Sequence, residues 1–260
     1  MVIGSTDLAA VVRWDVYAER RGPLMSEPSS GKNAVWGSAD EAVRYYKKDF
    51  WSKENLKFSE PHYRLEKSAR IVNRIAGRRE RTLLDVGCGP AALRSLLRPN
   101  IGYHGIDIAI QEPAPYLLEA DLVETPVRFG DRKFDIVMAQ GFFEYIGEHQ
   151  AQKFSEIAQV LRADGTFVAT YTNFGHRDRK IYWPYSNVQP MSRFRASLAE
   201  HFEVRRFFPA SHNWNHGQPS KPIIRAGNMH VNVNVPVLSP LLAVEYFLIC
   251  IPRARGPSPA

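Results

Sequence analysis

Apolar positions along the chain fall into short continuous runs, helical spacings and strict alternations, and each kind predicts a different element. Leu83, Leu84 and Val86 form a continuous run inside Thr82-Leu83-Leu84-Asp85-Val86, as in a central parallel strand covered on both faces. Tyr103-His104-Gly105-Ile106-Asp107-Ile108 reads as the next strand. Over Pro61 to Ile75, the residues Leu65, Ile71, Val72 and Ile75 mark one apolar helix face. Further helices are expected over Ala39 to Phe50, Pro90 to Leu97 and Met191 to His201, and further strands over Phe202 to Phe208 and Ala243 to Ile251. The stretch Pro209 to Leu242 is too long for a simple hairpin and reads as an elaboration. Within it Met229, Val231, Val233 and Val235 alternate with His230, Asn232 and Asn234, which is strand periodicity. Residues 1 to about 35, with Arg20-Arg21-Gly22-Pro23 and Ser26-Glu27-Pro28-Ser29-Ser30-Gly31, have a composition that favours weak order.

The chemistry concentrates where the first strand ends. Gly87 and Gly89 let the backbone turn sharply and approach a ligand where a Cβ would collide. Pro90 near the start of the following helix leaves free N–H groups facing that ligand, so an anionic group is expected there. Gly87, Gly89 and Ala92 also fit the G-x-G-x-x-A spacing, which is compatible with a nicotinamide dinucleotide. Asp85 argues differently, because a carboxylate two residues before the glycines can hold the loop amides and lie near a cationic amine. Asp107, about 20 residues beyond the loop, suits ribose hydroxyls in either cofactor class.

At this point the chain resembles the class I S-adenosylmethionine-dependent methyltransferases of the small-molecule type. Three further segments carry the likeness, in the family's order: Glu119-Ala120-Asp121-Leu122 as the end of the third strand, Phe134 to Ile146 as the fourth strand and its loop, and Val160 to Thr170 as a helix end, turn and fifth strand. The likeness covers roughly residues 80 to 172. It implies S-adenosyl-L-methionine as cofactor and an α/β fold with a Rossmann-like, doubly wound, seven-stranded, mostly parallel sheet whose last strand is antiparallel. Read along the chain, the organisation is a tail (1–35), an N-terminal helical lid (36–78), a core (79–252) with a capping insertion at about 209–242, and a second tail (253–260). In the family pattern Asp121 receives the adenine amino group, Arg64 lies against the methionine carboxylate, and Asp85, Gly87, Cys88, Gly89, Asp107, Ile108, Leu122, Gln140 and Gly141 complete the cofactor site. Two positions depart from it: Ala91 replaces the third glycine, and Tyr145 stands where a histidine is frequent.

Composition narrows the setting. An apolar fraction of 44% suffices for one enzyme-sized core, and no apolar stretch approaches the ~20 residues of a membrane span. The start has no secretory apolar region, and two cysteines, Cys88 and Cys250, make no disulfide framework, so a cytoplasmic protein without membrane association is expected. Cys88 reads as a small residue facing the cofactor rather than a nucleophile. The net charge of +7 is scattered, without a basic stripe interleaved with aromatics, so no nucleic-acid partner is expected and a homodimer is left open.

Candidate catalytic groups come from loops beyond the strands: His176 after the fifth, Glu144 and Tyr145 after the fourth. Tyr45, Trp51, Arg177, Tyr182, Trp183, His212 and Trp214 are the candidate substrate contacts, with Tyr45, Tyr46, Phe50 and Trp51 forming an aromatic lid over the cofactor. His212 and His216 share a four-residue spacing, but Trp214, Asn215 and Gly217 make a poor helix and no third ligand is marked, so no metal is expected. The reading is methyl transfer to oxygen or nitrogen of a small organic acceptor, such as an acidic or sugar-bearing natural-product intermediate. A nicotinamide-dependent oxidoreductase and a non-catalytic binding protein of the same fold are the alternatives.

Overall fold

The computed structural model describes residues 63–146, 149–172, 189–211 and 245–253. Within them seven strands form one sheet: β1 (Arg81–Val86), β2 (Ile101–Asp107), β3 (Leu117–Glu119), β4 (Phe134–Ala139), β5 (Leu161–Thr172), β6 (Phe202–Ser211) and β7 (Glu245–Pro252). Their order is β3-β2-β1-β4-β5-β7-β6. The first five pair in parallel, and β7 runs antiparallel between β5 and β6. Chain direction across the sheet reverses between β1 and β4, so their carboxyl ends flank the crevice where such sheets bind ligands.

The apolar run in β1 works because consecutive side chains leave on opposite faces. Leu84 and Val86 join Val137, Phe167 and Leu248 on one face, under Phe154 and Ile157 of α2 (Gln150–Val160) and Phe194 and Leu198 of α3 (Met191–Ala199). Leu83 joins Ile136, Met138, Val168 and Phe247 on the other, under Ala69 and Val72 of α1 (Tyr63–Ala76). Helices on both faces are what a doubly wound sheet requires. Helix α1 ends where expected: Gly77 takes φ +62° and donates its N–H to the Asn73 carbonyl at 3.1 Å, a left-handed cap that satisfies an orphan carbonyl.

Several expected boundaries are corrected. The helix expected over Pro90 to Leu97 is only a 3₁₀ turn, Ala92–Leu96, because Ala91 is left-handed and Leu97 already extended (φ -83°, ψ 152°). No helix N-terminus of useful length therefore faces the glycine loop. The third strand stops at Glu119, leaving Asp121 beyond it, where its carboxylate accepts the Val123 N–H at 3.0 Å and opens a turn. The expected turn between α2 and the fifth strand is absorbed into β5: Leu161 already pairs with Phe134, and the register slips before Ile136 pairs with Thr166. Gly165 permits this irregularity, since a Cβ there would fall 2.8 Å from Leu161 Cδ2 and 2.9 Å from the Arg162 carbonyl. Strand β6 continues past the expected Phe208, through Pro209 to Ser211. Residues 36–62 of the lid expected over 36–78, residues 212–242 of the expected insertion and the C-terminal tail from Ala254 lie outside the described residues.

Candidate active site

The glycine loop is held by β2. The N–H groups of Gly87 and Cys88 both donate to the Ile106 carbonyl, at 2.8 and 3.1 Å, and the Gly89 N–H donates to Asp107 Oδ2 at 2.8 Å. Asp107 Oδ1 accepts the Ala109 N–H at 3.1 Å, so this one carboxylate fixes both the loop and the residues leaving β2. Gly87, Gly89 and Ala91 take φ +75°, +52° and +57°. The third left-handed residue is thus the alanine that replaced a glycine of the family pattern, and its Cβ carries a cost there. A Cβ on Gly87 would sit 3.2 Å from Phe142 of the β4 loop, which brings the two sides of the crevice together.

Asp85 lies beneath this loop, buried, and accepts the Tyr103 hydroxyl at 2.8 Å. Burial pushes its carboxyl up to about 7; the Tyr103 bond opposes the shift and the neighbouring Asp107 adds to it. Cys88 turns inward toward β2, where a Cβ on Gly105 would fall 2.7 Å from its Sγ. Burial, with Asp85 and Asp107 nearby, raises the thiol well above its ordinary range. A thiolate is disfavoured there, in accord with a packing role.

Asp121, Leu122 and the turn after them are fastened from outside. The Thr125 N–H and hydroxyl both donate to the Asp121 carbonyl, at 2.8 and 2.7 Å. The fully buried Lys153 of α2 donates Nζ to the Thr125 carbonyl at 2.9 Å and to Glu156 Oε2 at 2.8 Å, and the same Glu156 oxygen accepts the Val127 N–H at 2.8 Å. Leu122 is buried and Ile108 half-buried.

Beyond β4, Gly141 is left-handed (φ +60°) and donates its N–H to Thr170 Oγ1 at 2.9 Å, while Gln140 Oε1 accepts the Ser68 hydroxyl of α1 at 2.7 Å. Glu144 is buried at 3% exposure, and its Oε1 accepts the Thr172 N–H at 2.7 Å. Its Oε2 has no hydrogen-bond partner among the described residues. Burial raises the Glu144 carboxyl above its ordinary range, outweighing its backbone hydrogen bonds, and Glu245 nearby pushes in the same direction. Tyr145 is exposed. Arg64 lies in the first turn of α1, with its side chain outside the described set. Tyr45, Trp51, His176, Arg177, Tyr182, Trp183, His212 and Trp214 also lie outside it.

Sequence reasoning missed Tyr103, Lys67, Ser68, Thr170, Thr172 and Glu245. A signal existed for two of them. Ser68 interrupts the apolar face of α1, and Glu245 is a charge at the mouth of the apolar strand Tyr246 to Ile251. Among the described residues no three His, Cys, Asp or Glu side chains group as a metal site, and no helix is long and apolar enough to cross a membrane.

Known proteins agree with this architecture. A family model described as a methyltransferase domain matches residues 84–169, from the first core strand to the fifth. Among solved structures, the chain in complex with the Haloferax volcanii Trm112 methyltransferase activator is 15% identical at a TM-score of 0.56, with 82% of this chain and 98% of that one covered. An S-adenosylmethionine-dependent methyltransferase from Clostridium acetobutylicum is 11% identical at a TM-score of 0.51, again with 82% and 98% covered. A protein from Pyrococcus horikoshii is 15% identical at a TM-score of 0.50, with 73% and 90% covered. At such identities the structural likeness speaks for the fold. Comparison with curated protein sequences gives no match. The strand order and the loop agree with the family match, which marks residues 84–169 as a methyltransferase domain with the class I fold. A methyltransferase domain implies S-adenosylmethionine as cofactor, against the nicotinamide alternative that the G-x-G-x-x-A spacing had left open.

Proposed function

We propose that the protein methylates an oxygen or nitrogen of a small organic acceptor, as a cytoplasmic enzyme, with the acceptor seated over the carboxyl ends of β4 and β5. The observation that carries this reading is Glu144: a buried carboxyl with one oxygen bonded to Thr172 and the other unpartnered among the described residues, on the loop that also touches the glycine turn.

The cofactor supplies a methyl group already activated by its sulfonium, so the chain's own task is to bind, orient and exclude water. The residues present fit it. The left-handed Gly87 and Gly89 open the backbone for close approach, and we assign Asp107, at the end of β2, to the ribose hydroxyls and Asp121 with Leu122 to adenine. Asp85 and Tyr103 support the loop from below. Arg64, Ile108, Gln140 and Gly141 complete the expected surround. On the acceptor side, Glu144 Oε2 and His176 are the groups assigned to receive the acceptor's proton, with Tyr45, Trp51, Arg177, Tyr182, Trp183, His212 and Trp214 assigned to hold it.

Incubation of the pure protein with labelled S-adenosylmethionine and a metabolite extract tests this directly: label should pass to a small organic compound. Single-turnover transfer to that compound, followed against pH, then assigns the base. His176→Ala should slow the step by roughly 10²–10⁴-fold and flatten its pH dependence if His176 is the base. A pH profile identical to the wild type returns the role to Glu144. Labelling only of protein or nucleic acid would overturn the small-acceptor reading.

A further inference from the structure

Three carboxylates mark the ends of three neighbouring strands. The sheet runs β3-β2-β1-β4, with Asp121 just beyond β3, Asp107 closing β2 and Asp85 next to the last residue of β1. With adenine assigned to Asp121 and ribose to Asp107, the next place in the row is Asp85. The next part of the cofactor is its methionine end, which carries an ammonium. Asp85 is also held differently from the other two. Asp107 accepts the backbone N–H groups of Gly89 and Ala109, and Asp121 accepts that of Val123. Asp85 accepts from a side chain, the Tyr103 hydroxyl, at 2.8 Å to Oδ2. Its Oδ1 takes no donor from the described residues, no described cation pairs with it, and the residue keeps 5% exposure.

Packing fixes where that hydroxyl points. Tyr103 pairs in register with Leu83, which shares a sheet face with Asp85 two positions on. Its ring is buried and meets Tyr116 edge-on at 6.2 Å, and its hydroxyl lies within reach of the Cys88 thiol in the glycine loop. Gly105, the register partner of Asp85, leaves room for Cys88 Sγ and Leu117 Cδ2, which a Cβ would meet at 2.7 and 2.9 Å. Tyr103 and Asp107 therefore act on Asp85 from β2 and Cys88 from the loop. Strand β4 sets Met138 beside it, and α1 and the 3₁₀ turn cover this face with Ala69, Val72 and Leu93. A buried carboxylate with one donor is poorly compensated, and a ligand cation at the remaining oxygen would relieve it.

We propose that Tyr103 is a positioning residue for cofactor binding: its hydroxyl holds one Asp85 oxygen so that the other accepts an N–H of the ammonium at the methionine end of S-adenosylmethionine. This deepens the proposed function and rests on it for the cofactor. Tyr103 acts through Asp85 in two ways. It fixes the carboxyl group in place, and its bond favours the charged form against the burial that raises Asp85 to about 7. The grip on the ammonium is then strongest above that value and weakens as pH falls through it and Asp85 takes up a proton.

Calorimetry on the full chain compares two ligands. S-adenosylhomocysteine carries the amino-acid end; methylthioadenosine keeps adenine and ribose and lacks it. Wild-type affinity for S-adenosylhomocysteine should rise with pH through about 7, and affinity for methylthioadenosine should stay level. Tyr103→Phe keeps the ring and removes the donor. It should weaken S-adenosylhomocysteine by roughly tenfold or more at neutral pH and move the rise upward by about one pH unit or more. Methylthioadenosine should bind this variant as it binds wild type. In Asp85→Asn the rise should vanish, and adding Tyr103→Phe should weaken S-adenosylhomocysteine no further. A merely structural tyrosine would affect both ligands alike or neither, and either result overturns the proposal, as does a pH midpoint that Tyr103→Phe leaves in place. If Tyr103→Phe does not fold, NMR of the wild type labelled at the tyrosine Cζ carbon decides. The Tyr103 signal should titrate where the affinity rises and shift with S-adenosylhomocysteine but not with methylthioadenosine; a signal blind to both pH and ligand overturns the proposal. Wild-type protein that binds neither ligand overturns the cofactor reading and the proposal with it, whereas binding of both without the pH difference overturns the proposal alone.

Discussion

The two ends of the same sheet treat their carboxylates in opposite ways. At the amino end, Asp135 accepts the Thr82 N–H and Arg81 Nη1 at 2.8 Å each and the Thr82 hydroxyl at 2.9 Å. Partial burial would raise its carboxyl, but those bonds and the Arg81 charge win, and it titrates below the usual range. At the carboxyl end, Asp85 and Glu144 are buried among few donors and both titrate above it. Strand β1 carries both regimes within five residues, Arg81 and Thr82 bonded to Asp135 and Asp85 left under the loop. The amino end is built for stability, and the carboxyl end holds ionisable groups in reserve for ligands.

Removing the anchor should produce the largest effect. Asp135→Ala leaves Arg81 and Thr82 without their acceptor and should destabilise the fold by about 3 kcal/mol, read by chemical denaturation. A loss below about 0.5 kcal/mol would put both ends on the same footing. Next comes Asp107→Ala, which should weaken S-adenosylmethionine binding by roughly 1.5–3 kcal/mol with the fold retained. Unchanged calorimetric affinity would remove Asp107 from the cofactor site.

The pH dependence of stability should differ in sign between the ends. Asp135 titrates lower in the folded than in the unfolded chain, so its contribution is present above its unfolded value and lost as pH falls through the folded one. Asp85 is raised to about 7, so the stability linked to its protonated form is full below the unfolded value and lost as pH rises through about 7. Melting temperature followed across that range should therefore fall less in Asp85→Asn than in wild type, and parallel curves would contradict the assignment. The smallest effect belongs to Ala91→Gly. Relief of the left-handed Cβ, offset by the greater freedom of glycine in the unfolded chain, should raise stability by about 0.5 kcal/mol.

Much of this architecture was legible from patterning because it depends on local rules. The run Leu83, Leu84, Val86 needs only alternation and burial, and the cap of α1 needs only a glycine after Ala76. Asp85, Asp107 and the glycines were legible because backbone geometry dictates their spacing. What escaped was set by partners far along the chain. Pro90 to Leu97 looks helical by composition, yet Ala91 adopts the conformation the loop imposes. Glu144 could be named as a loop acid, but its burial and its bond to the Thr172 N–H exist only because β5 lies beside β4.

Lys153 gives the fold a remote handle on the turn after β3. One ammonium, far from the glycine loop in sequence and wholly inside α2's packing, ties together the Thr125 carbonyl and Glu156, and through Glu156 the Val127 amide, on the turn that Asp121 opens. With Asp121 in its proposed adenine role, swapping that ammonium for a thioether of similar length, Lys153→Met, should loosen the turn and trade cofactor retention for faster exchange, a tuning screw on a buried helix.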